Sequence, residues 1–155
     1  MMELLAALER SAVATWVREG STIWAYPTIL TLHTMGLAVL VGANTAFALR
    51  VLGVGRQIPL GPIEWLFPAM WVGFGLNAVT GAMLFSADPI EKGTTPLFMV
   101  KLAIVITGVV LIPLLRRAVY RRTAIAVTPL AKTFAALSLL VWTAATVTGR
   151  WMAYW

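Results

Sequence analysis

From Thr22 to Leu49 the chain reads TIWAYPTILTLHTMGLAVLVGANTAFAL, with no formal charge when His33 is counted neutral. A bilayer core of about 30 Å is crossed by about 20 apolar residues in helical form. Such a run folds as a membrane helix, because an α-helix pairs all of its backbone polar groups internally. The run also carries the chain's single histidine, His33. An ionisable residue at membrane depth costs free energy and is a functional candidate by default.

Three further runs of the same kind follow. The spans are expected at about 23–49, 63–86, 97–115 and 130–153. Ahead of them, residues 2–18 place Leu4, Leu5, Leu8, Ala12, Trp16 and Val17 at helical spacing among Glu3, Glu9, Arg10 and Arg18. That segment is too charged to cross, and reads as one amphipathic helix lying at the interface with Trp16 as an anchor. The expected fold is therefore all-α: a four-helix transmembrane bundle with an N-terminal interfacial helix, residues 1–155 forming a single domain. Composition agrees: 60% of residues are hydrophobic and 12% charged, against about 25% charged in soluble domains. The opening MMELLAALER lacks a basic leader followed by a long apolar stretch, so the first span is expected to do the targeting.

The chain has no cysteine, which excludes disulfides, thiolate metal sites, iron–sulfur clusters and covalent c-type haem. Its net charge of +6 does not indicate nucleic acid. Arg50, Arg56, Arg116, Arg117, Arg121, Arg122 and Lys132 fall in or beside the loops after spans 1 and 3, which share one side. Arg10, Arg18, Lys92 and Arg150 lie on the other, beside five acids. The positive-inside rule then leaves both termini on the non-cytoplasmic side.

Counting residues from the basic loops sets depth. His33 lies 17 residues before Arg50, Lys101 15 before Arg116, Arg150 18 after Lys132 and Asn77 13 after Glu64. At 1.5 Å per residue these are about 25, 22, 27 and 20 Å above one face. Four polar groups from four spans thus reach a similar level, where lipid exposure is unfavourable. A polar pocket bounded by His33, Asn77, Lys101 and Arg150 is expected. His33, Gly36, Leu40 and Asn44 share one face of span 1, Lys101 and Gly108 one face of span 3, and Thr143, Thr146 and Arg150 one face of span 4. Gly73, Asn77 and Gly81, four residues apart, form a small-residue stripe that permits close helix contact.

Plainer roles exist for each. His33 can be a neutral residue bonded across helices, Asn77 a helix-to-helix hydrogen bonder, Lys101 a snorkelling side chain, and Arg150 a partner of lipid phosphate. Met35, Met83, Met99 and Met152 are expected toward the same side. A thioether beside an imidazole suits Cu(I), but no MxM or MxxM pair occurs and methionine commonly fills core gaps.

The segment LHTMGLAVLVG, with His33 nine residues before Gly42, resembles the first helix of a group of small four-span bacterial membrane proteins. The group includes the membrane domain of the copper-resistance D proteins and the HemJ-type protoporphyrinogen oxidases. TPLFMVKLAIVITGVVLIPLLRR, with Lys101 early in a span ending in arginines, resembles another helix of the group. VTPLAKTFAALSLLVWTAATVTGR is similar in layout to the copper family's final helix. The resemblance implies an inner-membrane protein with His33 and Lys101 serving haem b binding. Two departures stand against porphyrinogen oxidation itself: the tryptophan usual after the histidine is absent, and the HemJ signature of the final helix is not recognisable.

The leading expectation is a small inner-membrane protein that binds haem b, or handles a metal such as copper, at His33, with Lys101 or Arg150 pairing with propionates or another anion. One histidine excludes a dihaem carrier within one chain, and a haem with a second axial ligand would take it from a second chain, a methionine or a lysine. The rivals are a non-catalytic accessory subunit of a larger membrane complex and a copper or proton transporter.

Overall fold

A computed structural model describes residues 2–20, 24–121 and 125–152, without the side chains of Met2 and Leu4. The described residues are almost wholly helical; one isolated antiparallel bridge joins Tyr120 and Ile125. Four helices are long and apolar enough to cross a membrane, as a multi-pass membrane protein requires.

The interfacial segment is two helices, not one: α1 (Met2–Glu9) and α2 (Ala12–Glu19). Ser11 causes the break. Its side chain accepts the Ala14 backbone N–H at 3.2 Å and so starts a new helix, while Arg10 Nε turns back to the Ala6 carbonyl at 3.1 Å. Ala14 and Val17 are buried and Trp16 is exposed.

The first long helix, α3 (Tyr26–Leu52), begins with Pro27 in its first turn, where a missing N–H leaves nothing unpaired. It ends at Gly53, whose φ of 113° is open to glycine. Gly53 N–H bonds the Arg50 carbonyl at 3.2 Å and Val54 N–H bonds Leu49 at 2.9 Å, the two bonds of a Schellman ending. A 3-10 turn (Gly61–Ile63) leads into α4 (Leu66–Ala87). The short α5 (Pro89–Thr94) precedes α6 (Pro96–Val119), which runs past Arg116 and Arg117 because basic side chains favour the carboxyl end of a helix dipole. Thr128 caps α7 (Pro129–Trp151) by accepting the Ala131 N–H. Ile23, Arg122, Ala153 and the expected aromatic tail at Tyr154 and Trp155 lie outside the described residues.

Close packing follows the order α4, α3, α7, α6, with α2 laid on α4 and α1 on α5. Helices α4 and α6 meet through side chains. At the arginine-rich end Arg116 Nη2 donates to Glu64 at 2.7 Å, and the Phe67 and Tyr120 rings lie 6.0 Å apart. At the other end Phe85 stacks on Phe98 at 4.9 Å. The main core, around Phe47, Phe67, Met70 and Leu115, lies toward the arginine-rich end and reaches Trp142 midway along α7. A smaller cluster of Val17, Ile29 and Ala87 closes the opposite end. There Arg18 donates to the Ala87 carbonyl and Lys92 to the Leu84 carbonyl, which pairs carbonyls that the end of α4 leaves open. Exposed tryptophans stand at both ends, Trp16, Trp24 and Trp151 at one and Trp65 at the other, where headgroups favour them.

Candidate functional site

The site starts from glycine. Gly36 of α3 and Gly73 of α4 let the two backbones meet. A Cβ at Gly36 would sit 2.8 Å from the Asn77 nitrogen, and one at Gly73 2.8 Å from the Gly36 carbonyl oxygen. One turn on, a Cβ at Gly81 would lie 3.0 Å from Cε1 of His33. The Gly73–Asn77–Gly81 stripe is therefore the seat of α3, and it presses the imidazole against α4.

His33 is half-buried there. Its Nδ1 lies 3.0 Å from the Asn77 carbonyl oxygen and 3.1 Å from Thr80 Oγ1. A carbonyl only accepts, so Nδ1 carries the proton. Thr80 agrees, since its own hydroxyl donates to the Leu76 carbonyl at 2.6 Å and leaves its oxygen free to accept. Nε2 is then the acceptor nitrogen, and Asn77 Nδ2 approaches it at 3.4 Å. The same amide donates to the His33 carbonyl at 2.9 Å, the shorter of its two bonds. These partners describe a neutral ring with one defined tautomer.

Lys101 is half-buried on the side of α6 that faces α7, where a Cβ at Gly149 would lie 3.7 Å from its Cε and 3.9 Å from its Nζ. Among the described residues no carboxylate pairs with Lys101. Gly108, on the same face of α6, is filled by Trp142 of α7, whose ring would lie 2.9 Å from a Cβ there. Arg150 differs from expectation. The stripe Thr143, Thr146 and Arg150 is exposed, because Ser138, Trp142 and Ala145 take the interior side of α7. The structure thus joins His33 to Asn77, sets Lys101 against α7, and leaves Arg150 on an outward face.

Thr80 was not expected in the site. Its place three residues beyond Asn77 was a readable signal, since i and i+3 share a helix face. Also unexpected is a buried polar layer nearer the arginine-rich end, where Asn44 Nδ2 donates to Ser138 Oγ at 3.3 Å. Asn44 Oδ1 and Trp142 Nε1 in that layer are buried with no hydrogen-bond partner among the described residues. Of the methionines, Met35 and Met99 are exposed and Met70 is core. Among the described residues no three His, Asp or Glu side chains gather in a metal-holding group.

Comparison with protein-family models, with curated proteins and with solved structures finds no match to this chain. What the fold and the site define is a class: a small multi-pass helical membrane protein with a polar contact between α3 and α4.

Proposed function

We propose that this protein binds haem b at His33, with Lys101 pairing with a propionate, in the outer half of a bacterial inner membrane. The observation that carries the reading is the tautomer of His33. A histidine whose Nδ1–H is held by a backbone carbonyl has the outer-shell support that metal-bound histidines use, and its Nε2 is left as the donor atom. Binding there needs Asn77 to release only its 3.4 Å contact to Nε2, while its 2.9 Å bond to the His33 carbonyl stays. A neutral donor nitrogen on α3 and an ammonium on α6 with no carboxylate partner among the described residues suit a guest that is both a metal complex and an anion. They suit a bare copper ion less, since among the described residues no three His, Asp or Glu side chains gather to hold one. Haem b supplies one-electron and small-ligand chemistry at its iron. The chain itself orients the imidazole, keeps Nε2 deprotonated and offers a cation for the carboxylates.

The test is an absorption spectrum of detergent-purified protein with iron and copper analysis, before and after haem addition. A Soret band with stoichiometric iron is expected, lost in His33→Ala and weakened in Lys101→Ala. A band that survives His33→Ala unchanged, or a wild-type protein that takes up no haem, overturns the reading.

A second reading rests on the fact that both imidazole nitrogens and the His33 carbonyl are engaged by α4. His33 then serves as a clasp between two helices in a non-catalytic subunit of a larger complex. In that case His33→Ala lowers thermal stability and partner recovery, and no chromophore accompanies the wild type.

A further inference from the structure

At the arginine-rich end, between the end of α3 and the start of α7, lies a crevice of about 330 Å³ lined by Arg50, Val51, Gly53, Arg56, Val127 and Lys132. Its size falls at the small end of ligand sites, about 300–1,000 Å³. Three cations from two segments distant in sequence meet there, and none of the lining residues is acidic.

The crevice is built by the Schellman ending of α3. Gly53, at φ 113°, turns the chain so that the following loop folds back over the helix end. Arg50 fixes that loop, donating from Nε to the Ile58 carbonyl at 2.5 Å and from Nη2 to the Arg56 carbonyl at 3.0 Å. The Arg56 guanidinium then lies over Gly53, with Nε 3.1 Å and Nη2 3.2 Å from where a Cβ would be. Any side chain at 53 would displace it. Lys132 stands in the first turn of α7, whose amino end adds partial positive charge to the same space. Among the described residues neither Arg56 nor Lys132 has a carboxylate partner. Arg116, across the same end, shows the contrast: Glu64 neutralises it at 2.7 Å. Charge bias between loops sets topology, but it does not require basic side chains to converge on one concavity with an apolar floor of Val51 and Val127.

We propose that this crevice is a phosphate-binding site, its ligand the phosphate of an anionic phospholipid headgroup or free phosphate from the adjoining aqueous phase. Basic pockets between helix ends at an anionic membrane surface hold headgroups through this chemistry, and guanidinium groups suit phosphate oxygens.

The experiment uses the full chain in nanodiscs. One arm measures by native mass spectrometry how much phosphatidylglycerol survives a delipidating wash from mixed phosphatidylcholine–phosphatidylglycerol discs. The other titrates inorganic phosphate against chloride at constant ionic strength in phosphatidylcholine discs and reads the thermal midpoint. The variant is Arg56→Gln with Lys132→Gln, which leaves the loop-holding bonds of Arg50 in place. Arg117→Gln with Arg121→Gln removes the same charge outside the crevice. A roughly tenfold loss of retained phosphatidylglycerol in the first variant, with retention in the second, identifies a lipid phosphate. A phosphate-dependent rise in midpoint that the first variant alone abolishes identifies free phosphate. Equal losses in both variants, or a wild type indifferent to both ligands, overturns the site.

Discussion

Toward the arginine-rich end large side chains are sealed from every surface: Phe47 and Leu115 are 0% exposed and Phe67 2%, with Trp142 at 1% midway along α7. In the His33 half the same helices bury almost nothing large. From Pro96 to Thr107, α6 has no fully buried residue, and beyond Ala145 neither does the described part of α7. Between residues 71 and 86, what α4 buries is Gly73, Thr80 and Ser86. One half is specified by the shapes of bulky groups, the other by backbone approach and hydrogen bonds. Lipid chains are as apolar as leucine, so neither half gains from burial as a soluble core does; association rests on packing and on polar contacts. The two halves divide those two sources between them.

Truncation is the strongest way to break this contrast. Trp142→Ala should cost about 3–5 kcal/mol, the range for losing a large buried ring, whereas Met83→Ala, at the sparser end, should cost below about 1 kcal/mol. Unfolding of both variants in detergent measures the gap, and equal losses would erase the distinction. Next comes backbone approach. Gly73→Ala forces a methyl within 2.8 Å of two backbone atoms that cannot step aside, and should destabilise by about 1–3 kcal/mol. Gly75→Ala, with nothing within 4 Å of its Cβ position, should be neutral or stabilise by up to about 1 kcal/mol through helix propensity.

Asn77→Ala tests the polar half more gently. Measured hydrogen bonds between membrane helices average about 0.6 kcal/mol and reach about 1.7, and the thermal midpoint should fall accordingly. The smallest effect belongs to the exposed Glu64–Arg116 pair, where Glu64→Gln should cost no more than about 1 kcal/mol. Its sharper readout is Tyr120, whose hydroxyl donates to the Leu60 carbonyl at 2.6 Å. Burial, then the Glu64 carboxylate, push this phenol from 10.0 up to about 12, against a smaller opposing pull from Arg116. The folded state holds that proton more tightly than the unfolded chain. Its contribution to stability is therefore complete below pH 10.0 and fades as pH rises toward about 12. Alkaline difference spectroscopy should find the Tyr120 phenolate appearing earlier in Glu64→Gln.

Much of this was legible in the residues. Four long apolar runs separated by Pro, Gly and charge announced the bundle, and the spacing of Gly73, Asn77 and Gly81 announced a face made for close contact. His33 and Asn77 could be paired because both heights were countable from basic loops. The break at Ser11 lay in the text as a capping residue, but the apolar stripe ran across it and masked it. Arg150 misled because a stripe of polar residues gives a face but not its direction; Trp142 and Ala145, one residue to the side of Thr143 and Thr146, took the interior. Thr80 was readable from its place three residues beyond Asn77, but the Asn44–Ser138 layer depends on which helices become neighbours, and that order was beyond counting.

The carbonyl that receives the proton of His33 belongs to the main chain of residue 77, not to its side chain. The identity of the side chain at 77 can therefore change without moving that proton, so long as α4 stays helical and seated on its glycines. Which imidazole nitrogen is left as the acceptor is inherited from the path of the backbone. A relative with another residue at that position would present the same nitrogen, and a single substitution at 77 would be a poor way to silence it.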